Sequence, residues 1–377
     1  VITGEELSEQ SIRHSFRPKS ASRLKWGLRR MENMKKSINW GVLGAAQIAT
    51  SRTMPALNQS PSATLLAIAS RDTEKGRAAA EAHRVPRVYS TYDALLADPD
   101  IEAVYVPLPN HLHFEWSVRA LEAGKNVLCE KPLCLSVEQG IQLCAVRDRT
   151  GKHIEEAFSF RNHPQWEKVD EILSGGAIGP VRAAHCVLAK QFYDPKDIRN
   201  NPDAGGGALY DLGSYAISAL NLIFRRSPGR VVAALERDPV FRTDRLTTAL
   251  LDYGDSHATF TVGTQAGPDS WTTHQQLTVL GASGWLSFDF PYAHVKPLVS
   301  SVSLGNEKSV GFIPTETFTF EPVNQYARQV ERFSRLLLGE RVPRWPIEDA
   351  VATLRTIEAL FESARRGAWQ SLPQVHV

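Results

Sequence analysis

From residue 38 onward the chain alternates short β-branched apolar runs with stretches whose apolar residues recur at helical spacing. The pattern predicts strands at 38–43, 64–69, 88–89, 103–106 and 126–129. Between them it predicts a small-residue turn with a helix running to about Asn58, then helices over 72–83, 111–123 and 136–149. Ser136 opens the last as an N-cap, with Gln139 three positions on. Strands alternating with helices specify a parallel, doubly wound sheet, since each crossover must return the chain to the same edge.

After about residue 157 the rhythm changes. Helical spacing over 164–173 and 209–224 gives way to strand-like runs at 230–236, 246–252, 257–262, 275–280 and 315–320, linked by turns such as Tyr253-Gly254-Asp255. Consecutive strands without intervening helices predict an antiparallel sheet. Two amphipathic helices, 323–338 and 347–366, close the pattern. The expected organisation is a flexible extension (1–37), a dinucleotide-binding Rossmann domain (38–157) and an α+β domain for substrate and oligomerisation (158–377).

Composition narrows the class. At 377 residues, 42% hydrophobic and 22% charged, the chain suits a globular protein of two domains. A formal charge of +2 with no basic run points away from nucleic acid. Cys129, Cys134, Cys144 and Cys186 lack paired C-x-x-C spacing, so reduced thiols are expected rather than zinc or disulfides. No apolar run approaches the roughly 20 residues that cross a bilayer. The first 37 residues are basic and serine-bearing without the apolar stretch of a secretory leader, which predicts a cytoplasmic protein. They read as a flexible arm, as sequence upstream of a start at Met31 or Met34, or as an arm that covers a neighbouring subunit or the cofactor.

Gly44-Ala45-Ala46-Gln47-Ile48-Ala49 follows the first strand and opens a helix. It is a degraded G-x-G-x-x-G, with alanines at the second and third glycine positions. Small residues there let backbone N–H groups approach a pyrophosphate, making Gly44, Ala46, Gln47 and Ile48 cofactor contacts. The second strand ends in Ser70-Arg71-Asp72. A hydroxyl and a guanidinium suit the 2′-phosphate of NADP, whereas NAD enzymes place an acid at this tip. Asp72 caps the next helix or turns back to a ribose, so NAD stays open.

Two further strand ends border the same crevice. Pro107, Leu108, Asn110 and His111 follow the fourth strand, and Glu130-Lys131-Pro132 follow the fifth. Ligands of open α/β sheets bind at that carboxyl edge. Farther on, Asp211 and Tyr215 lie four apart on one helix face, after the triple glycine 205–207.

Together these motifs resemble the Gfo/Idh/MocA oxidoreductases over about residues 38–377. Tyr215 stands where other members carry histidine, which favours the tyrosine branch. The resemblance implies a Rossmann domain followed by a domain with a large open, mostly antiparallel sheet. It also implies a homodimer or homotetramer formed through that sheet, and a cis Lys131–Pro132 bond.

The expected reaction is hydride transfer between NADP and a carbinol or carbonyl carbon of a sugar or polyol. Tyr215 is the preferred acid/base, Lys131 the cation that stabilises phenolate and alkoxide, and Asp211 positions Lys131 or binds a substrate hydroxyl. The roles of lysine and tyrosine are interchangeable at this level. Arg161 and His163 are candidate ligands for substrate hydroxyls or a phosphate, with a salt bridge or helix-entry cap as the alternative. Asp197, Arg199 and Asn200 read as a loop over the site, Trp116 and Trp166 as core. Competing readings are a dinucleotide-binding regulator without chemistry and a reductase of the same fold acting on a non-sugar diol.

Overall fold

The protein is described by a computed structural model over residues 36–266, 274–292 and 299–372. The extension expected at 1–37 falls almost wholly outside the described residues.

The first sheet is built from β1 (Ile38–Leu43), β2 (Ala63–Ala69), β3 (Arg87–Tyr89), β4 (Ala103–Val106), β5 (Asn126–Cys129) and β6 (Ile154–Glu156), in the order β3-β2-β1-β4-β5-β6. All its pairings are parallel. Strand order reverses between β1 and β4, which opens a crevice at their carboxyl ends. The crossovers are α1 (Met54–Gln59, preceded by a π-helical turn), α2 (Thr73–His83), α3 (Tyr92–Leu96), α4 (Asn110–Glu122) and α5 (Val137–Thr150). Ser136 accepts the Gln139 N–H as N-cap of α5, and Asp72 accepts the Lys75 N–H as N-cap of α2.

After α6 (Pro164–Ser174) the chain enters the second sheet with β7 (Val181–Ala189). α7 (Ser214–Phe224) intervenes before β8 (Arg230–Arg237), β9 (Asp244–Asp252), β10 (His257–Gly263), β11 (His274–Gly281), β12 (Gly284–Asp289), β13 (Ser300–Asn306) and β14 (Glu316–Phe320). With β15 (Gln370–Ser371) the order is β14-β13-β12-β11-β7-β10-β9-β8-β15. Every pair is antiparallel except β7 with β10. Ala184, Cys186 and Leu188 of β7 face a core shared with Leu220 and Ile223 of α7.

The two closing helices, α8 (Gln325–Leu337) and α9 (Ile347–Arg366), lie within the range expected for the second domain, yet both pack against the first sheet. Val330 and Phe333 of α8 are fully buried with Trp40 and Tyr105, and the Trp40 indole N–H donates to Ser334 at 3.0 Å. Each such apolar side chain stabilises by about 1.5–3 kcal/mol. Ile347, Val351 and Leu354 at the start of α9 join the first core, whereas Ile357 and Leu360 join the second. One helix thus ties both sheets together, on either side of the crevice. Among the described residues, no helix is long and apolar enough to cross a membrane.

Candidate active site

The strand ends deliver their residues as the topology requires. Gly44 leaves β1 with φ +107 and its N–H donates to Ala69 O at 2.7 Å. A Cβ there would be strained by that φ and would lie 3.0 Å from Leu108, so Leu108 packs against the turn. Ala45, Ala46 and Gln47 reach solvent at the opening of the helix, where the first N–H groups have no intrahelical partner. At the tip of β2, Ser70 is buried and the Arg71 guanidinium is exposed, whereas Asp72 is engaged as N-cap. Of the two roles open to Asp72, the structure takes the cap. This donor set fits a dinucleotide bearing a 2′-phosphate.

On the neighbouring strand end, Pro107 and Leu108 are buried. The Asn110 side chain donates to Gly205 O at 2.9 Å, which fastens the first domain to the triple glycine, while His111 is exposed. The Lys131–Pro132 bond is cis, as expected. Glu130 accepts the Tyr105 hydroxyl at 2.6 Å, and burial raises its carboxyl above the ordinary range.

Lys131 crosses the crevice. Its ammonium forms an ion pair with Asp211 and donates to Asp211 O at 2.9 Å. The other Asp211 oxygen accepts from Arg199 Nε at 2.6 Å, and Arg199 also pairs with Asp197 at 3.2 Å. Burial alone would raise the Asp211 carboxyl, but the charges of Arg199 and Lys131 override it and hold the group well below the carboxylate range. Asp211 is therefore held as an anion between the two cations. The expected loop over the site is present: Arg199 reaches Asp211 from it, and Asn200 anchors it through bonds to Phe192 O and Asp194 O.

Tyr215 stands on the first turn of α7, half-buried, its ring packed against Phe158, Phe160 and Tyr292 at 5.1, 5.8 and 5.7 Å. The Lys131 ammonium lies 4.9 Å from its centre, so the two residues share one compartment. Burial pushes the phenol well above its ordinary pKa. A resting phenolate is therefore disfavoured, and the ammonium faces the ring with Asp211 as its ion-pair partner.

The segment bearing Asp211 and Tyr215 is held from beneath. Gly207 has φ +115, and a Cβ on it would fall 2.0 Å from Asp244 Oδ1. Asp244 in turn accepts the Leu209 N–H at 2.7 Å. Asp244 and Tyr105 were missed in the sequence; a lone acid opening a strand and a tyrosine within one carry no local signal.

Arg161 and His163 require a correction. Arg161 is buried, pairs with Asp349 at 3.1 Å and donates to the Ser218 hydroxyl at 2.8 and 3.2 Å. His163 is buried and accepts the Gln165 N–H as cap of α6. Arg161 is thus engaged by Asp349 and Ser218, and the His163 ring lies 6.3 Å from that of Phe320 in β14. Trp166 is core, as expected; Trp116 is partly buried against Tyr92.

The chain is similar to known proteins along most of its length. Residues 38–158 match the oxidoreductase family with an NAD-binding Rossmann fold, and residues 166–287 match the GFO/IDH/MocA C-terminal domain. The chain is 40% identical to an uncharacterized oxidoreductase, ORF334, of Rhizobium meliloti, covering 89% of this chain and 99% of that one. It is 36% identical to D-xylose 1-dehydrogenase (NADP(+)) 2 of Haloferax volcanii, over 87% and 98% of the two chains. The solved structure of KijD10, a 3-ketoreductase from Actinomadura kijaniata in complex with NADP and TDP-benzene, superimposes with a TM-score of 0.78 at 32% identity, covering 87% of this chain and 98% of that one. The chain belongs to the GFO/IDH/MocA oxidoreductase family.

Proposed function

We propose that the protein is an NADP-dependent oxidoreductase acting on a carbinol or carbonyl carbon of a sugar or related polyol. The observation that carries this reading is the meeting of Lys131, Asp211 and Tyr215 at the carboxyl edge of the first sheet. NADP, when bound, supplies the hydride acceptor or donor. Ser70 and Arg71 are proposed to hold its 2′-phosphate, and the turn Gly44 to Ile48 its pyrophosphate. Pro107, Leu108, Asn110, His111 and Glu130 are proposed to line the wall beside the nicotinamide.

At the substrate oxygen, Tyr215 and Lys131 handle the proton. A phenol kept protonated by its surroundings is suited to donate to an oxygen that gains charge as a carbonyl is reduced, and to recover the proton in the reverse direction. Lys131, fixed by Asp211, stabilises the developing alkoxide electrostatically. Related proteins support these roles. Solved forms of KijD10 include replacements of a tyrosine and of a lysine, separated by the same number of positions as Tyr215 and Lys131. The face of the second sheet that bears Arg182 and His185 of β7 is proposed as the oligomerisation surface.

A panel of sugars and keto-sugars, followed by nicotinamide absorbance with NADP and with NAD, tests the reading. Turnover of a panel member with preference for NADP is expected. Tight dinucleotide binding without turnover across the panel would point instead to a regulator.

A further inference from the structure

Lys190 leaves β7 at a rigid corner: its N–H bonds Gly263 O at 2.9 Å, and that of Phe192 bonds Thr264 O at 2.8 Å, both at the end of β10. Its ammonium, half-buried, lies 4.8 Å from the centre of the Phe192 ring. The Arg199 guanidinium packs on the same ring at 4.3 Å. Two cations therefore converge on one aromatic side chain at the wall of the crevice that holds Asp211.

The charges there do not balance. Lys131, Lys190 and Arg199 act on one another and on the carboxylates of Asp197 and Asp211. Asp211 is shared by Lys131 and Arg199, and Asp197 is bound to Arg199. Glu130, also near Lys131, is engaged by the Tyr105 hydroxyl. Among the described residues no carboxylate lies within ion-pair distance of Lys190, and Arg199 Nη2 has no acceptor. Burial, and then the charge of Arg199, lower the affinity of Lys190 for its proton, and the more distant Asp211 and Asp197 offset this only in part. A half-desolvated cation beside a guanidinium is costly unless an anion joins it.

We propose that Lys190 and Arg199 form a subsite for an anionic group, a carboxylate or a phosphate, carried by the substrate away from its reacting carbon. This rests on the sugar-oxidoreductase reading and narrows its substrate class to acidic sugars. Because Arg199 also binds Asp211, the subsite adjoins the proton-transfer groups, and its anion sets the position of the substrate oxygen relative to Lys131.

The test measures binding by calorimetry to the full-length protein saturated with NADP. The probes are neutral D-glucitol, D-gluconate as the carboxylate and D-glucitol 6-phosphate as the phosphate. At least one acidic probe is expected to bind about tenfold or more tightly than glucitol, as for a charge-assisted hydrogen bond; which one it is distinguishes carboxylate from phosphate. Lys190→Met should reduce that preference at least about tenfold and Lys190→Arg should retain it, with Lys190→Gln as a second neutral variant should the methionine form fail to fold. No acidic probe binding more tightly than glucitol, or a neutral variant that keeps the full preference, overturns the subsite. Turnover of neutral sugars without any acid preference would remove the subsite and leave the proposed reaction standing; absence of turnover with every sugar would remove the reaction itself.

Discussion

The Lys131 ammonium lies 4.9 Å from the centre of the Tyr215 ring, though the two residues are contributed by different sheets' connections. Lys131 follows β5, Tyr215 begins α7, and Asp211 one helical turn earlier ties them through an ion pair. The arrangement separates two tasks. In the mechanism proposed above, Asp211 fixes the position of the lysine and Tyr215 offers the exchangeable proton.

Replacing the lysine should affect stability as well as rate. In Lys131→Met the buried Asp211 carboxylate keeps only Arg199 as cationic partner. Breaking a buried pair costs up to roughly 3–5 kcal/mol, and the remaining guanidinium should hold the loss to about 1–3 kcal/mol. Urea unfolding of the two proteins measures this directly, and an unchanged midpoint would mean that the pair contributes nothing.

Cofactor choice should follow Arg71. Its guanidinium is exposed at the tip of β2, while Asp72 is engaged in capping. Arg71→Ala should lower the preference for NADP over NAD by about tenfold to hundredfold, the worth of a charge-assisted hydrogen bond. Initial rates with both cofactors report the ratio; an unaltered ratio would place the 2′-phosphate elsewhere.

Gly207 allows no side chain. A methyl there combines a left-handed φ with a collision against Asp244, whose carboxylate holds the Leu209 N–H. Gly207→Ala should cost roughly 2–4 kcal/mol and displace Asp211 and Tyr215 together. Thermal melts and turnover should both fall, whereas Gly254→Ala, at an exposed turn with open space around it, should lose less in both.

Glu156 should make stability depend on pH. It is buried; one oxygen accepts the Leu133 N–H at 2.9 Å, and the other has no partner among the described residues. Burial pushes its carboxyl from 4.5 up to about 7. The folded protein thus holds this proton more tightly than the unfolded chain does. The resulting stability is fully present below 4.5 and lost as pH rises through about 7. Glu156→Gln keeps the acceptor for Leu133 and should flatten the fall in melting temperature across that window. Identical pH profiles for the two proteins would contradict this.

Much of the first sheet was legible because its strands are buried on both faces and its turns carry Gly44, Pro107 and Lys131 at predictable ends. In the second sheet β7, the strand between β10 and β11, went unread. Its run of alanines with Arg182 and His185 has neither strong β-branching nor clean alternation. The packing of α8 onto β1 and β4 was also illegible, since amphipathicity reveals that a face is buried but not against what. For the same reason Arg161 looked available, since its partners Asp349 and Ser218 are distant in sequence, whereas the cap formed by His163 is local. Lys131, Asp211 and Tyr215 were legible because motif and helical spacing placed them locally, and only their meeting required the fold.

Turnover of Tyr215→Phe, measured beside Lys131→Met with the same sugar and with NADP saturating, tests the proton-transfer pair most directly. Turnover should fall by about 10²–10⁴-fold in Tyr215→Phe, the worth of one placed acid/base group, while its NADP affinity stays nearly intact. Full turnover in both variants would show that neither the phenol nor the ammonium serves the reacting oxygen.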